Sequence, residues 1–207
     1  MNRESLAEQF GNIDIYLFDQ LLRGTIVPGM RVLDAGCGGG RNLVYLLREG
    51  YECFGVDGSP EAVEWVRAMA ERLSPSLPAG NFRVEAIEAM SFPDAIADVV
   101  LCNSVLHFAR DDAQFEGMLR GLWRVLKPGG MLFCRLASTI GGDFQRAAGA
   151  SSRRKYLVPD GQEWYLVDEP LLMRLTMALG GELMDPLKTT VVQGSRCMTT
   201  WVVRKNR

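Results

Sequence analysis

This chain of 207 residues has one histidine, His107, and its five cysteines include no pair in the C-x-x-C spacing. So few clustered soft ligands set the expectation for a metal site at none. An odd number of scattered cysteines also argues for reduced, mostly buried thiols rather than a disulfide framework. No apolar run reaches the length of a membrane span, and charges interrupt the N-terminal stretch; neither a membrane segment nor a secretory leader is expected, and the chain reads as cytoplasmic. Positive charge is not in excess: Lys and Arg number 23 against 25 Asp and Glu, which leaves no electrostatic footprint for nucleic acid. With 47% hydrophobic residues the chain can bury one full core, so residues 1–207 are read as a single domain.

What is present is glycine, in one informative place. Met30 to Ala35 reads as a short apolar strand, Gly36-Cys37-Gly38-Gly39-Gly40 as a tight loop, and the stretch from Asn42 as the start of a helix. A second strand, Glu52 to Asp57, ends in a carboxylate 57 − 38 = 19 positions after the second glycine of the loop, the place from which an acid binds a ribose diol. In the dinucleotide fingerprint G-x-G-x-x-G the third glycine lets helix and strand pack closely, but here Arg41 holds that place. Asp34 would repel a pyrophosphate and suit a ligand that carries an ammonium and a sulfonium. The ligand that fits is S-adenosyl-L-methionine.

At Asp34, Gly36, Gly38 and Gly40 the chain resembles the first motif, D/E-x-G-x-G-x-G, of the class I S-adenosylmethionine-dependent methyltransferases. The likeness continues through a helix at Glu61 to Leu73, a third strand at Asn81 to Ala86, a fourth at Ala97 to Asn103, a helix at Asp112 to Leu126, and Lys127-Pro128-Gly129-Gly130 before a fifth strand, Met131 to Leu136. The resemblance implies an α/β fold: a doubly wound, seven-stranded, mostly parallel sheet with an antiparallel C-terminal edge hairpin. Leu183 to Val192 and Met198 to Val203, joined at Gly194-Ser195, supply that hairpin. It also implies cofactor contacts at Asp34, Gly36, Cys37, Gly38, Asp57, Gly58 and Asn103. The family's acid after the third strand falls here on Ala86, so adenine contacts pass to Ile87 and Glu88. Met198 to Lys205 together with Gly40-Arg41-Asn42 is similar to the tellurite-resistance methyltransferase subgroup, which points to a small-molecule acceptor with a soft chalcogen or thiol nucleophile.

Two flanking segments are expected to shape the acceptor side. An N-terminal helical cap, about 1–25, contains an apolar helix from Asn12 to Leu22, with Tyr16 and Arg23 placed to touch cofactor or substrate. The connection 138–165, with paired glycines and the basic run Arg153-Arg154-Lys155, reads as a mobile cover. His107 follows the fourth strand and is the one candidate general base. Replacing Gly36 or Gly38 by Val is expected to abolish cofactor binding while sparing the fold. Two other readings stay open, a cofactor-binding protein without turnover and a nicotinamide-dependent oxidoreductase; the oligomeric state is not legible.

Overall fold

The computed structural model describes residues 5–147, 149, 152–159 and 161–207. Five strands run parallel in the order 3-2-1-4-5: β1 (Arg31–Ala35), β2 (Glu52–Asp57), β3 (Phe82–Val84), β4 (Ala97–Asn103) and β5 (Leu126–Ala137). Beside β5 lies β10 (Arg196–Lys205), antiparallel, followed by β8 (Gly181–Leu183), while β9 (Lys188–Val192) pairs with the first half of β10. The main path therefore holds seven strands, and β9 is an eighth at its edge.

Alternation along the strands divides the core in two. Leu33, Val56, Val100, Leu132 and Trp201 face α5 (Asp112–Val125) and α6 (Glu169–Ala178). Val32, Cys53, Leu101, Phe133 and Val202 face α2 (Ile15–Leu22), α3 (Val44–Arg48) and α4 (Pro60–Leu73). Helix α4 starts where the Ser59 side chain accepts from the Ala62 N–H, with Pro60 in the first turn, and buries Val63, Val66 and Ala70. Burial of each valine stabilises the fold by roughly 1.5–3 kcal/mol. Short α1 (Leu6–Phe10) is held by a Ser5/Glu8 capping box, and Phe10 stacks on Tyr45 of α3 at 5.2 Å.

Several expected boundaries move for identifiable reasons. Helix α2 begins at Ile15 rather than Asn12, because the Asp14 side chain caps the Tyr16 N–H. Helix α3 begins at Val44 because the Asn42 side chain turns to accept the Asp14 N–H. The Lys-Pro-Gly-Gly turn lies inside β5 as an irregularity: Leu126 pairs with Ala97, and pairing resumes at Met131 with Val99. The strand expected from Leu183 to Val192 is broken at Asp185-Pro186, since proline cannot donate to the ladder and the Asp185 side chain accepts from Gln20 and Arg23. All five cysteines are buried free thiols. Among the described residues no helix is long and apolar enough to cross a membrane.

Candidate active site

Order 3-2-1-4-5 places a topological switch point between β1 and β4, and crevices outside the carboxyl ends of strands at such points bind ligands. Here the crevice is polar. Asp34 shares a strand face with Val32, and Asn103 with Leu101; Arg135 shares one with Phe133 and sits opposite Asn103 on one side and Thr200 on the other. Asp34, Asn103, Arg135 and Thr200 thus form a row on the α2–α4 side of the sheet, with Asp57 at the end of β2 extending it.

Within the glycine loop the backbone is tied down from below. Gly36 and Cys37 donate their N–H groups to Val56 O at 2.8 and 3.0 Å. The Asp57 carboxylate accepts from Gly38 N and Ser59 N, both at 2.9 Å, which fixes it beside the loop with lone pairs to spare. Both carboxylate oxygens of Asp34 are buried and without a partner. Burial pushes its carboxyl up to about 7, Arg41 opposing and Asp57 adding to the shift. Cys37 points its thiol into the core, where burial raises its pKa, so only its backbone faces the loop.

The loop glycines play different parts. All of Gly36, Gly38 and Gly40 have positive φ, but a Cβ on Gly36 would lie 2.3 Å from Val105 Cγ2 and one on Gly40 2.4 Å from Met69 Cε, whereas one on Gly38 meets nothing within 4 Å. The expectation that both Val variants spare the fold is therefore corrected for Gly36, which is a packing glycine. We expect Gly36→Ala to lose at least about 2 kcal/mol of stability from overpacking plus left-handed strain, and Gly38→Ala about 1–2 from strain alone. Urea unfolding of both variants decides it; equal losses would contradict the assignment.

At the mouth beside β4, Asn103 Oδ1 accepts from Arg41 Nη2 at 2.8 Å and Ser104 Oγ at 2.9 Å, while its Nδ2 is buried and unpartnered. Ser104 turns the chain with a φ of 65°. Arg41, noticed in the sequence only as a missing glycine, bridges Asn103 to Asn12 O at 3.4 Å and so spans the crevice. The fully buried Asp14 side chain pairs with Arg135 at 2.7 Å, Arg135 lies 5.6 Å from the Tyr16 ring centroid, and Tyr16 hydroxyl meets Thr190 Oγ1 at 2.9 Å. His107 is 2% exposed, its Nδ1 has no partner, and burial lowers its pKa to about 4. Trp164 covers the imidazole at 4.5 Å. The Asp14–Arg135 pair and the Trp164 contact join residues far apart in sequence, and no local pattern signals them.

Other expected positions separate. Gly58 is exposed with open space around it, Ile87 is buried in the core, and Glu88 is exposed and accepts from Gln114 Nε2 at 2.9 Å. Arg23 does not reach the crevice, which corrects its assignment: it ion-pairs with Asp19 and Asp185 beside Asp98, at the amino end of β4. Helix α2 runs from the carboxyl to the amino edge of the sheet, so its first turn and its last lie at opposite ends. The 138–165 connection is also more ordered than its composition predicts. Strands β6 (Lys155–Leu157) and β7 (Glu163–Tyr165) pair in it; Ser152 and Tyr165 hydroxyls donate to Asp112, and Lys155 is buried, donating to Ala109 O and Glu163 O. Arg154 pairs with Asp168, so the basic run is not a single free patch. Residues 148, 150, 151 and 160 of the expected cover and 1–4 of the expected cap lie outside the described residues.

The groups present fit the inferred cofactor: an orphaned buried carboxylate beneath the loop, a second at the end of β2, an open Gly38 and an unpartnered amide at Asn103. The architecture is the Rossmann-like methyltransferase fold. A [4+2]-cyclase shares it with a TM-score of 0.72 at 18% identity over 93% of this chain and 81% of that one. A SAM-dependent methyltransferase from Methanosarcina mazei does so at 0.70 and 20% identity, over 90% and 97%. The family model described as "Methyltransferase domain" matches residues 33–134, from β1 into β5. A ubiquinone biosynthesis O-methyltransferase from Methylocella silvestris is 31% identical over 174 residues, covering 78% of this chain and 64% of that protein. Residues 33–134 thus match the methyltransferase-domain family, and the whole chain carries the fold of the class I S-adenosylmethionine-dependent methyltransferases. The chain spans under two thirds of that relative's length, and the family match stops before residues 138–165.

Proposed function

We propose that this protein binds S-adenosyl-L-methionine in the β1–β4 crevice and transfers its methyl group to a small-molecule acceptor. The carrying observation is the unpartnered buried carboxylate of Asp34 under the glycine loop with Asp57 at the end of β2. A pyrophosphate at the loop would face the Asp34 carboxylate, which disfavours the nicotinamide reading. Fold alone does not establish methyl transfer, as the name of the cyclase neighbour illustrates.

When bound, the cofactor supplies a methyl group made electrophilic by its sulfonium. Asp57 would hold the ribose hydroxyls, Asp34 and Asn103 the amino-acid end, and the Gly38 and Gly58 backbone would allow close approach. Ile87 and Glu88 stand at the adenine side, Ile87 by apolar contact. Tyr16 and Arg135 bound the acceptor side. His107, neutral at pH 7 because burial depresses its pKa, takes the acceptor's proton at Nδ1. The matched relative's name favours an oxygen nucleophile over the chalcogen or thiol suggested by the tellurite-resistance likeness. The reading carries with it a cytoplasmic protein without nucleic-acid or membrane partners.

Calorimetry tests it. Wild type should bind S-adenosylmethionine and S-adenosylhomocysteine at micromolar levels, and Asp57→Ala should weaken both at least ~10-fold, the loss expected for a charge-assisted hydrogen bond of about 1.5–3 kcal/mol. Unchanged affinity in a folded variant removes Asp57 from the site.

A further inference from the structure

A cavity of ≈ 540 Å³ lies between residues 141–145, residues 157–159 with Gly161, and the β9–β10 hairpin. Its apolar wall is Phe144, Leu157, Val158, Pro159, Val191 and Val192. Leu157 is 48% exposed, Val191 54% and Val192 38%, a concentration of uncovered aliphatic surface at one place. Its floor is kept low by glycine: a Cβ on Gly141 would lie 2.9 Å from Val191 Cγ2, and one on Gly142 2.8 Å from Cys197 Sγ.

A chain of packed aromatic side chains links the cavity wall to the crevice. Phe144 and Trp164 pack around the same buried cluster of Ala137, Leu166 and Met198, and Trp164 reaches His107 at 4.5 Å and the exposed Phe108 at 6.0 Å. Along the sheet, Arg135 and Ser138 are three residues apart on the chain, about 10 Å, and Ser138 N donates to Cys197 O at the cavity floor. A molecule with its reactive group at His107 and a chain extending along this strip would end against Leu157 and Val191.

We propose that this cavity receives an apolar chain carried by the acceptor, which is therefore amphipathic: a nucleophilic head at the crevice and an aliphatic tail in the groove. The inference rests on the methyl-transfer reading for the head's position, but the groove's preference for aliphatic chains does not depend on it.

The probes are 4-n-alkylphenols from ethyl to decyl, titrated by tryptophan fluorescence and calorimetry with and without S-adenosylhomocysteine. Affinity should rise with chain length, roughly threefold per methylene where the chain is fully buried and at least 100-fold from ethyl to decyl. Leu157→Asp and Val191→Asp, both at exposed positions, should flatten that rise while leaving S-adenosylhomocysteine affinity within twofold. A flat chain-length series in wild type overturns the proposal, as does a rise that both variants retain. Sedimentation supplies the remaining arm: wild type that dimerises and is made monomeric by Val191→Asp shows the groove covered by a second copy, which also overturns it. If wild type fails to bind S-adenosylhomocysteine, the function reading fails, and the chain-length series without it still decides the groove.

Discussion

Asp34→Asn should separate stability from ligand binding: against wild type, the cofactor-free variant gains stability as pH rises, by up to ~4 kcal/mol between pH 4 and pH 8, and it loses affinity for S-adenosylmethionine at least ~10-fold. The stability effect follows from the carboxyl being held at about 7 in the fold against an ordinary value of 3.8. An unfolded chain releases this proton near pH 4, whereas the folded protein keeps it until about pH 7. Between those values the native state binds more protons, so stability falls as pH rises, by ~1.4 kcal/mol for each of about three units. Above pH 7 the full cost remains, because a carboxylate is then buried with no hydrogen bond on either oxygen. An asparagine cannot ionise, and its own unsatisfied groups cost the same at every pH. The comparison of interest is the change in the wild-type-to-variant difference, obtained from urea unfolding at pH 5 and pH 8. A difference that stays flat would mean that Asp34 is solvated or paired in solution. Cofactor affinity of wild type should rise with pH through about 7, as the anion that meets the ammonium forms.

A carboxylate held at this expense is what a preorganised cation site looks like before its ligand arrives, and this strained feature was legible in the sequence. Asp34, Gly36, Gly38 and Asp57 sit close together in the chain or at a spacing set by one strand–helix–strand unit, so local pattern locates them. Strand β4, apolar through Val99–Cys102, falls on Ala97–Asn103 as read, and the edge hairpin follows from its tight turn. The acceptor side was less legible because its contacts are long-range. Tyr16 lies in the first turn of α2 and Arg23 caps its end, and only the direction of that helix across the sheet sends Tyr16 to the crevice and Arg23 to the opposite edge. Lys155 looks like part of a solvated basic run, yet its ammonium donates to two backbone carbonyls and its pKa is lowered by burial. Pairing of β6 with β7 involves three residues from each strand, too short a pattern to stand out against a loop. A mobile cover would have to break these bonds to open.

His107→Gln should lower turnover ~10²-fold or more, the range for loss of a positioned general base, while S-adenosylmethionine affinity stays within twofold. The variant tests more than catalysis, because burial holds the imidazole pKa at about 4 against 6.5 for the free side chain. In this case the unfolded chain takes up a proton below pH 6.5 that the folded protein refuses until about pH 4, so His107 costs stability as pH falls across that window, up to ~3 kcal/mol. Glutamine removes the cost, and the variant should resist acid better than wild type by that margin. Asp34 and His107 therefore act in opposite senses between pH 4 and 7, the first favouring the fold at low pH and the second at high pH. Wild type alone should show a shallow profile that hides both, and only the single variants reveal them. For turnover, a base of this pKa places the acid limb of kcat/KM for the acceptor near pH 4 in the presence of saturating cofactor. Full activity in His107→Gln, or an acid limb that persists unchanged in it, would show that the imidazole only packs under Trp164. A rate loss with an unchanged KM and unchanged cofactor affinity would assign the base to the His107 imidazole.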